Sequence, residues 1–421
     1  MKASVSCRAP HGRVQVIPSK SVAHRALISA ALSDEETKII CNARSKDIEA
    51  TARVLSSLGA EISEEGGCFL VRPIKNFRDS DLDCGESGST LRFLIPVAAT
   101  ISKETTFDGK GRLPERPISE LLDCLSENGA EYEYNGRLPL KMRGGLEFGR
   151  FKISGKVSSQ FISGLLFALP RLSGDSIIEI CGSLESSKYV EITLDVIKQF
   201  GILAGWRGNE IHIKGNQSYI SPKSFSVEGD WSNAAFFASL GAFSEEGITC
   251  TGMNMKSTQG DYEILSLLER FGANVTENED SFTVKKGKLC GISIDASEIP
   301  DLVPVLSVVA SAAEGETVIY NASRLRIKES DRIKTTVKMI KSLGGDIRSE
   351  DDSIIIRGRG KLRGGVVDGE NDHRIVMSAA IASAICKEPV IITGAEAVEK
   401  SYGDFFERFA DLGADVSISE E

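Results

Sequence analysis

The sequence has few of the residues that build metal sites and disulfide frameworks. It contains four histidines, and its nine cysteines are scattered, odd in number and never form a Cys-x-x-Cys pair. This pattern argues against both a disulfide-stapled fold and a structural zinc site. The sequence indicates no metal and no organic cofactor.

The chain also lacks a long apolar segment and an excess of positive charge. Residues 1–5 carry no apolar signal core, and no stretch approaches the length of a membrane span. The net charge of −10 argues against binding nucleic acid through bulk charge. We expect a cytoplasmic protein with no nucleic-acid or membrane partner.

One short signature recurs along the whole chain, an apolar helix-like stretch that ends in glycine. The six glycines are spaced by 70, 72, 71, 72 and 69 residues: Gly59, Gly129, Gly201, Gly272, Gly344 and Gly413. A glycine directly after the last apolar position of a helix readily takes the left-handed backbone that ends it. The period of about 71 residues predicts six copies of one supersecondary unit.

Alternation of apolar and polar residues follows two of these glycines. Val275, Phe282 and Val284 fit a hairpin with one solvated face after Gly272, and Ile347, Ile354 and Ile356 repeat the pattern after Gly344. Each unit therefore mixes helices with strands. The fold class is α/β or α+β.

Three segments combine hydroxyl, amide or glycine residues with the start of an apolar helix: 18–27, 85–92 and 158–166. Helix starts of this kind bind anions, and Lys20 lies beside the first of them. The segment 85–92 lacks the Gly-Lys-Ser/Thr ending of a nucleotide-binding P-loop, so it does not imply ATP. Ordinary helix capping is the alternative at each segment.

Two further segments are dense in charge, 324–332 and 371–374. If the first is helical, Lys328 and Arg332 share a face and Glu329 lies beside them. The alternative is a surface ion-pair ladder of little energetic value. For Asp372 the alternative role is an N-cap, which is compatible with a functional one.

Taken in order, these motifs resemble the 5-enolpyruvylshikimate-3-phosphate synthase family. The resemblance covers essentially the whole chain and rests on nine segments in register: 18–27, 85–92, 116–118, 158–160, 227–230, 299–301, 328–332, 371–374 and 400–402. It implies a two-lobed inside-out barrel of six βαβαββ units, three per lobe. Lobe I would span 18–228 and lobe II 1–17 plus 229–421, with the active site in a cleft that closes on substrate.

The resemblance implies a reaction in which the enolpyruvyl group of phosphoenolpyruvate moves to the 5-hydroxyl of shikimate 3-phosphate and phosphate is released. The residues that would hold shikimate 3-phosphate are Lys20, Ser21, Arg25, Ser158, Ser159, Gln160, Ser186, Tyr189, Asp301 and Lys328. Those that would hold phosphoenolpyruvate are Lys20, Gly88, Arg116, Gln160, Arg332, Arg374 and Lys400, with Arg92 as a supporting charge behind Gly88.

Three of these residues would carry the chemistry. Asp301 would engage the attacking hydroxyl, and Glu329 would exchange a proton with the methylene carbon. Lys20 would act as a second acid or base, or only as a charge. The sequence leaves the division of labour between Glu329 and Lys20 open.

The sequence departs from the usual family pattern at His24 and Glu86, where asparagine is common. A carboxylate at position 86 should weaken anion binding unless it pairs with Arg92. The related family that uses UDP-N-acetylglucosamine carries a cysteine before its Arg-Pro pair, whereas residues 109–115 contain none. RNA 3'-phosphate cyclases and a non-catalytic scaffold are weaker alternatives, because no histidine has the required setting and both Asp301 and Glu329 are present.

Overall fold

The chain divides into two compact units in the computed structural model, which describes residues 1–42, 45–101, 104–155, 157–182, 184 and 186–420. The inserted unit comprises Pro18–Val227. The split unit comprises Met1–Ile17 and Glu228–Glu421. Each unit contains three four-stranded sheets.

The inserted unit alternates strands and helices. Its sheets, in strand order, are β14 (Ser224–Ser226), β3 (Thr37–Ile40), β5 (Cys68–Arg72), β4 (Glu61–Glu65); β6 (Ser80–Asp83), β7 (Thr105–Asp108), β9 (Leu140–Gly144), β8 (Glu131–Glu133); and β10 (Arg150–Ser154), β11 (Ser176–Cys181), β13 (Glu210–Ile213), β12 (Ala204–Arg207). Its helices are α1 (Lys20–Ala31), α2 (Lys46–Leu58), α3 (Gly88–Ala99), α4 (Ser119–Ser126), α5 (Ser159–Ala168) and α6 (Ser187–Gln199).

The split unit repeats the arrangement. Its sheets are β2 (Gly12–Gln15), β15 (Ile248–Thr251), β17 (Ser281–Lys285), β16 (Asn274–Glu277); β18 (Ser293–Asp295), β19 (Gly315–Tyr320), β21 (Ile354–Gly358), β20 (Asp346–Ser349); and β22 (Gly365–Asp368), β23 (Val390–Thr393), β1 (Lys2–Ser6), β24 (Asp415–Ser419). Its helices are α7 (Trp231–Gly241), α8 (Ile264–Phe271), α9 (Val303–Ala312), α10 (Arg332–Ser342), α11 (His373–Ala382) and α12 (Phe405–Asp411).

All six sheets have the same internal order, a parallel pair followed by two antiparallel pairings. This is the sheet of a βαβαββ unit in which the last strand inserts beside the second. Three sheets take one strand from a distant part of the chain, namely β14, β2 and β1. The predicted fold class is confirmed, and both predicted hairpins form as β16–β17 and β20–β21.

The six periodic glycines end helices in the same way. Each has a left-handed backbone, with φ between 80° and 119°. The residue after each glycine donates its N–H to the carbonyl five residues earlier, from Ala60, Ala130, Ile202, Ala273, Gly345 and Ala414. This is the bond that defines a Schellman C-cap. The prediction that these glycines terminate helices is confirmed.

Two classes of helix alternate within each unit. Almost every side chain of α1, α3, α5, α7, α9 and α11 is buried, whereas α2, α4, α6, α8, α10 and α12 bury one face. A helix that is apolar all round needs cover on every side. No helix in the described ranges is long and apolar enough to cross a membrane.

Candidate active site

Several of the predicted site residues lie at the amino ends of helices. Side chains cap five of the all-round buried helices: Ser19, Ser87, Ser158, Asp230 and Asp372. Unpaired backbone N–H groups and the helix dipole make such ends attractive to anions. One cluster of candidate residues lies in the inserted unit and another in the split unit.

Arg25 is the buried cation of the inserted-unit cluster, with 2% of its surface exposed. Its guanidinium donates to Thr193 Oγ1 at 2.7 Å, Ser163 Oγ at 3.4 Å, and the carbonyls of Ser21 at 2.7 Å and Tyr189 at 2.9 Å. All four acceptors are neutral, and the described residues supply no carboxylate partner. Burial lowers the pKa of Arg25 to about 9, which leaves it positively charged at neutral pH.

Lys20 begins helix α1 and forms an ion pair with Asp47 of helix α2, with Nζ 3.0 Å from Oδ2. Both side chains are about one-sixth exposed. The ion pair holds the ammonium at the amino end of α1. Asp47 was not among the predicted site residues, because nothing in its local sequence indicates which cation it meets.

Gly88 is the first residue of helix α3 and lies against Arg116. A β-carbon at position 88 would come within 2.5 Å of Arg116 Nη1 and 2.9 Å of its Cζ. In the described part of the chain the Arg116 guanidinium has no hydrogen-bond or ion-pair partner, and its Nε is buried. The absence of a side chain at position 88 therefore leaves room for the Arg116 guanidinium, whose N–H groups can donate to a ligand.

Gln160 joins two helices of the inserted unit. Its Oε1 accepts from Arg92 Nη1 at 2.9 Å, and its Nε2 donates to Ser89 Oγ at 2.9 Å. Arg92 also donates to the carbonyl of Pro117 at 3.0 Å. Arg92 thus supports Gln160 and the Arg116–Pro117 segment, whereas the charge that lies against Gly88 is that of Arg116.

The serine hydroxyls predicted to bind shikimate 3-phosphate lie at the starts of three helices, with Ser21 in the first turn of α1. Ser158 caps α5 and Ser159 begins it, and both are about 4% exposed. Ser186 precedes α6 with a left-handed backbone, φ 55°, which is a strained conformation for serine. The Tyr189 carbonyl accepts from Arg25 one turn into α6.

A buried chain of hydrogen bonds connects the first three helices. His24 Nδ1 lies 2.6 Å from Thr51 Oγ1, which lies 2.7 Å from Thr90 Oγ1, which bonds Ser87 at 2.7 Å. Burial and the nearby charges of Lys20 and Arg25 hold the pKa of His24 well below its usual value. His24 is therefore neutral, and it ties the helix of Lys20 to the cap of the helix that begins at Gly88.

Asp301 is the centre of the split-unit cluster. Its Oδ1 accepts from Arg332 Nη1 at 2.6 Å and lies 3.4 Å from Lys328 Nζ, while Oδ2 accepts from Arg374 Nη2 at 3.1 Å. Burial alone would raise the pKa of Asp301. The positive charges of Arg374, Lys328 and Arg332 instead hold it well below the usual range, so the carboxylate is ionised.

Arg332 is bonded to carboxylates through all three of its nitrogens. Nε donates to Asp372 at 2.8 Å, Nη1 to Asp301 and Nη2 to Glu329 at 2.6 Å. Arg332 is 1% exposed. Although burial opposes its charge, the three carboxylates raise the pKa of Arg332 well above its usual value. The planar fork fixes the spacing of Asp301 and Glu329.

The condition under which Lys328 and Arg332 would share one helix face is not met. Lys328 to Asp331 are not helical: a 3-10 helix ends at Ile327 and α10 begins at Arg332, with Asp331 as its N-cap. The alternative of a surface ion-pair ladder also fails, because Arg332 is buried. Lys328 and Arg332 still meet at Asp301, through a turn and not through one helix face.

Arg374 and Lys400 complete the predicted set. Arg374 donates to Asp301 and also to the carbonyl of Ser232 at 3.3 Å. Lys400 is buried and donates to the carbonyl of Asn371 at 2.8 Å. Asp372 caps α11 through the N–H of Arg374 at 3.0 Å, so the N-cap role holds together with its bond to Arg332.

The split-unit cluster contains one residue that sequence reasoning missed entirely. Asp261 is buried, carries a hydrogen bond from Ser232, and interacts electrostatically with Asp301 and Arg374. The sequence around it, Gln259-Gly260-Asp261, has no charge pattern that would mark a site residue rather than an ordinary turn. Within the described residues, no group of three or more histidine, cysteine or acidic side chains is arranged to hold a metal ion.

Relatives of known identity match the chain over nearly its whole length. The sequence model of the EPSP synthase (3-phosphoshikimate 1-carboxyvinyltransferase) family matches residues 8–409. A 3-phosphoshikimate 1-carboxyvinyltransferase from Clostridium kluyveri is 45% identical over 409 residues, covering 96% of both chains. One from Clostridium perfringens is 46% identical over 408 residues, again with 96% of each chain covered.

A solved structure agrees with the fold as well. An EPSP synthase from Acinetobacter baumannii superposes with a TM-score of 0.84 at 26% identity, covering 99% of this chain and 100% of the other. Together with the family match over residues 8–409, this similarity settles the family. The chain belongs to the EPSP synthase (3-phosphoshikimate 1-carboxyvinyltransferase) family.

Proposed function

We propose that this chain transfers the enolpyruvyl group of phosphoenolpyruvate to the 5-hydroxyl of shikimate 3-phosphate, in the route to aromatic amino acids. Membership of the family supports the reaction class. The observation that carries the proposal is the buried Arg332, which bonds Asp301 and Glu329 at once. Two proton transfers need an acid and a base in fixed positions, and these two carboxyl groups can fill those roles.

The charges of the two clusters fit the substrates. Phosphoenolpyruvate and shikimate 3-phosphate together bring about five negative charges when their phosphates are mostly ionised. Fixed cations and helix ends hold such a load better than water does, since they need no reorganisation during the reaction. Arg25 and Arg116 have no carboxylate partners among the described residues, so their charges remain to be balanced by ligand.

We assign the substrates as the family resemblance implies. Shikimate 3-phosphate lies against Arg25 and the hydroxyls at the starts of α1, α5 and α6. Phosphoenolpyruvate lies against Gly88, Arg116 and Gln160 of the inserted unit, and meets Arg332, Arg374 and Lys400 of the split unit. Arginine suits the second group because its planar fork bonds a carboxylate or phosphate through two parallel N–H groups.

The first half of the reaction is an addition. The 5-hydroxyl oxygen bonds to the central carbon of phosphoenolpyruvate while Asp301 accepts the hydroxyl proton. Glu329 donates a proton to the methylene carbon, which becomes a methyl group. The product of this step is a tetrahedral ketal.

The second half reverses the proton transfers. Glu329 removes a proton from the methyl group, the double bond re-forms, and the carbon–oxygen bond to phosphate breaks. The proton held by Asp301 leaves with phosphate or to solvent. Lys20 acts as a second acid or base, or as a charge beside the transferred group.

Substrate binding should also make Asp301 a better base. Without substrate, three cations lower its pKa, which weakens its attraction for a proton. Bound phosphate and carboxylate groups compete for Arg332, Arg374 and Lys328. When the substrate anions share these cations with Asp301, the cations stabilise the Asp301 carboxylate less and its pKa rises. Asp301 therefore becomes more basic when both substrates are present.

Phosphorus NMR tests the function directly. The protein is incubated with phosphoenolpyruvate and either shikimate 3-phosphate or UDP-N-acetylglucosamine. We expect inorganic phosphate and a shifted product phosphate only with shikimate 3-phosphate. Phosphate release only with the nucleotide sugar would move the assignment to the related transferase, and no release with either acceptor would refute the proposal.

Three finer expectations accompany the proposal. The enzyme is taken to be a cytoplasmic monomer, which sedimentation and cell fractionation test. Lobes of three repeats each are taken to close on the substrates. Small-angle scattering should then show compaction only when ligand is bound, and an unchanged radius of gyration would contradict closure.

A further inference from the structure

Asp261 is a buried carboxyl group that the proposed mechanism does not use. It lies in a 3-10 turn, Gly260–Glu263, and is 2% exposed. Ser232 Oγ donates a hydrogen bond to Asp261 Oδ2, and Asp261 Oδ1 is buried with no hydrogen-bond partner in the described part of the chain. A carboxylate in this position would have one oxygen entirely unsatisfied, which is costly.

The charged groups that face Asp261 come from three elements. Asp301 lies in the turn before α9, Arg374 in the first turn of α11, and Asp230 is the N-cap of α7. Two of these three are acidic. The single cation, Arg374, donates instead to Asp301 and to the carbonyl of Ser232. No cation among the described residues lies within ion-pair distance of Asp261.

Ser232 connects Asp261 to the candidate site. Its hydroxyl bonds Asp261, and its carbonyl accepts from Arg374 Nη1 at 3.3 Å. Asp261 therefore fixes the residue against which Arg374 is placed. Burial, and secondarily the negative charge of Asp301, raise the pKa of Asp261 to about 7. A neutral acid buries no charge, so an Oδ1 without a hydrogen-bond partner costs it much less than it costs a carboxylate.

We propose that Asp261 is a positioning residue that is protonated in the active enzyme and, through Ser232, holds Arg374 toward Asp301 and phosphoenolpyruvate. When Asp261 ionises, its carboxylate competes for Arg374 and adds a negative charge next to the bound anions. This inference rests on the proposed function and on the assignment of Arg374 to phosphoenolpyruvate.

The sign of the pH effect follows by linkage. Anionic substrate binds the protonated form better, so its affinity is highest below the pKa of Asp261 and falls as the pH rises through about 7. The KM for phosphoenolpyruvate should therefore rise above neutral pH. Phosphoenolpyruvate itself titrates in this range. Its titration affects the KM of the natural protein and of a variant whose residue 261 cannot ionise equally, so the ratio of the two KM values cancels it.

The experiment measures phosphate release between pH 5.5 and 9 for the natural protein and Asp261→Asn, whose amide cannot ionise. We expect the ratio of their KM values for phosphoenolpyruvate to rise by about three- to tenfold across pH 7, since one pKa unit corresponds to tenfold. Asp346→Asn, at an exposed carboxyl in β20, should show the profile of the natural protein. The KM for shikimate 3-phosphate should change less.

A second variant keeps the test decisive if Asp261→Asn does not fold. Ser232→Ala removes the one hydrogen bond that favours the ionised carboxyl, so the inflection in KM should move to higher pH. A KM ratio that does not vary with pH, or an inflection unmoved by Ser232→Ala, would overturn the role of Asp261. Absence of phosphate release from the natural protein would instead refute the proposed function.

Discussion

The two clusters hold their cations in opposite ways. In the inserted unit, Arg25 is surrounded by hydroxyl and carbonyl acceptors, and Arg116 has no polar partner among the described residues. In the split unit, Arg332 bonds three carboxylates and Arg374 bonds one. The difference separates two tasks, holding an anion and positioning carboxyl groups that transfer protons.

The comparison also explains why the pKa values of the two buried arginines, Arg25 and Arg332, are shifted in opposite directions. A buried arginine without a carboxylate loses hydration that only a ligand restores, so Arg25 is prepared for an anion. A buried arginine with three carboxylates has already been neutralised, so Arg332 serves mainly to fix Asp301 and Glu329. Substrate must then displace or share some of those contacts, which links binding to the reactivity of Asp301.

The largest effect is expected from removing the carboxyl group at the centre of the split-unit cluster. Asp301→Ala should lower kcat by about 10²–10⁴-fold, the usual contribution of a general base. Steady-state phosphate release measures it, and thermal unfolding checks the fold. Asp346→Ala, at an exposed carboxyl, is the control. Near-normal turnover by Asp301→Ala would remove it from the mechanism.

Two arginine variants, one in each cluster, should differ in their effect on the free energy of unfolding. Arg332→Met leaves three carboxylates without their shared cation and should lower the free energy of unfolding by about 3–5 kcal/mol. Arg116→Met removes no hydrogen bond or ion pair to a described residue and should change the free energy of unfolding by less than about 0.5 kcal/mol. Both variants should lose phosphoenolpyruvate affinity. Equal destabilisation in urea titrations would contradict the distinction between the clusters.

A smaller change is expected at the close approach in the inserted unit. In Gly88→Ala the new methyl group pushes the Arg116 guanidinium away, since the contact would be 2.5 Å. The KM for phosphoenolpyruvate should rise by about tenfold, or 1.4 kcal/mol, and more than the KM for shikimate 3-phosphate. Gly205→Ala, with no atom within 4 Å of the added carbon, serves as control. Equal rises in both KM values would be evidence against the placement.

The smallest effect concerns pH and stability. His24 is neutral when folded and has a pKa well below 6.5, whereas the unfolded histidine titrates near 6.5. The contribution of neutral His24 to the free energy of unfolding is complete above about pH 6.5. It is lost as the pH falls below that value, by about 1.4 kcal/mol per pH unit. His24→Asn should show a shallower decrease in unfolding free energy between pH 6.5 and 5.5. Parallel curves would mean that His24 does not titrate on unfolding.

The sequence predicted those features that depend on local chemistry. The six-fold period was visible because each repeat ends a helix in a Schellman cap, which favours glycine. The sequence left open whether residues 328–331 are helical, because a spacing of four residues does not exclude a turn. Asp47 and Asp261 were missed because each acts on residues far away in sequence, and no local pattern selects a carboxylate's partner. Strands β1, β2 and β14 pair with strands far away in sequence, so no local pattern predicts these pairings either.

The most direct test of the account is the fate of solvent hydrogen. The reaction is run in deuterium oxide with phosphoenolpyruvate and shikimate 3-phosphate, and proton NMR follows the vinyl hydrogens of the product. Transient formation of a methyl group predicts that deuterium enters the vinyl carbon, and that Glu329→Gln suppresses both turnover and exchange. A product formed at the normal rate with no vinyl deuterium would contradict addition followed by elimination.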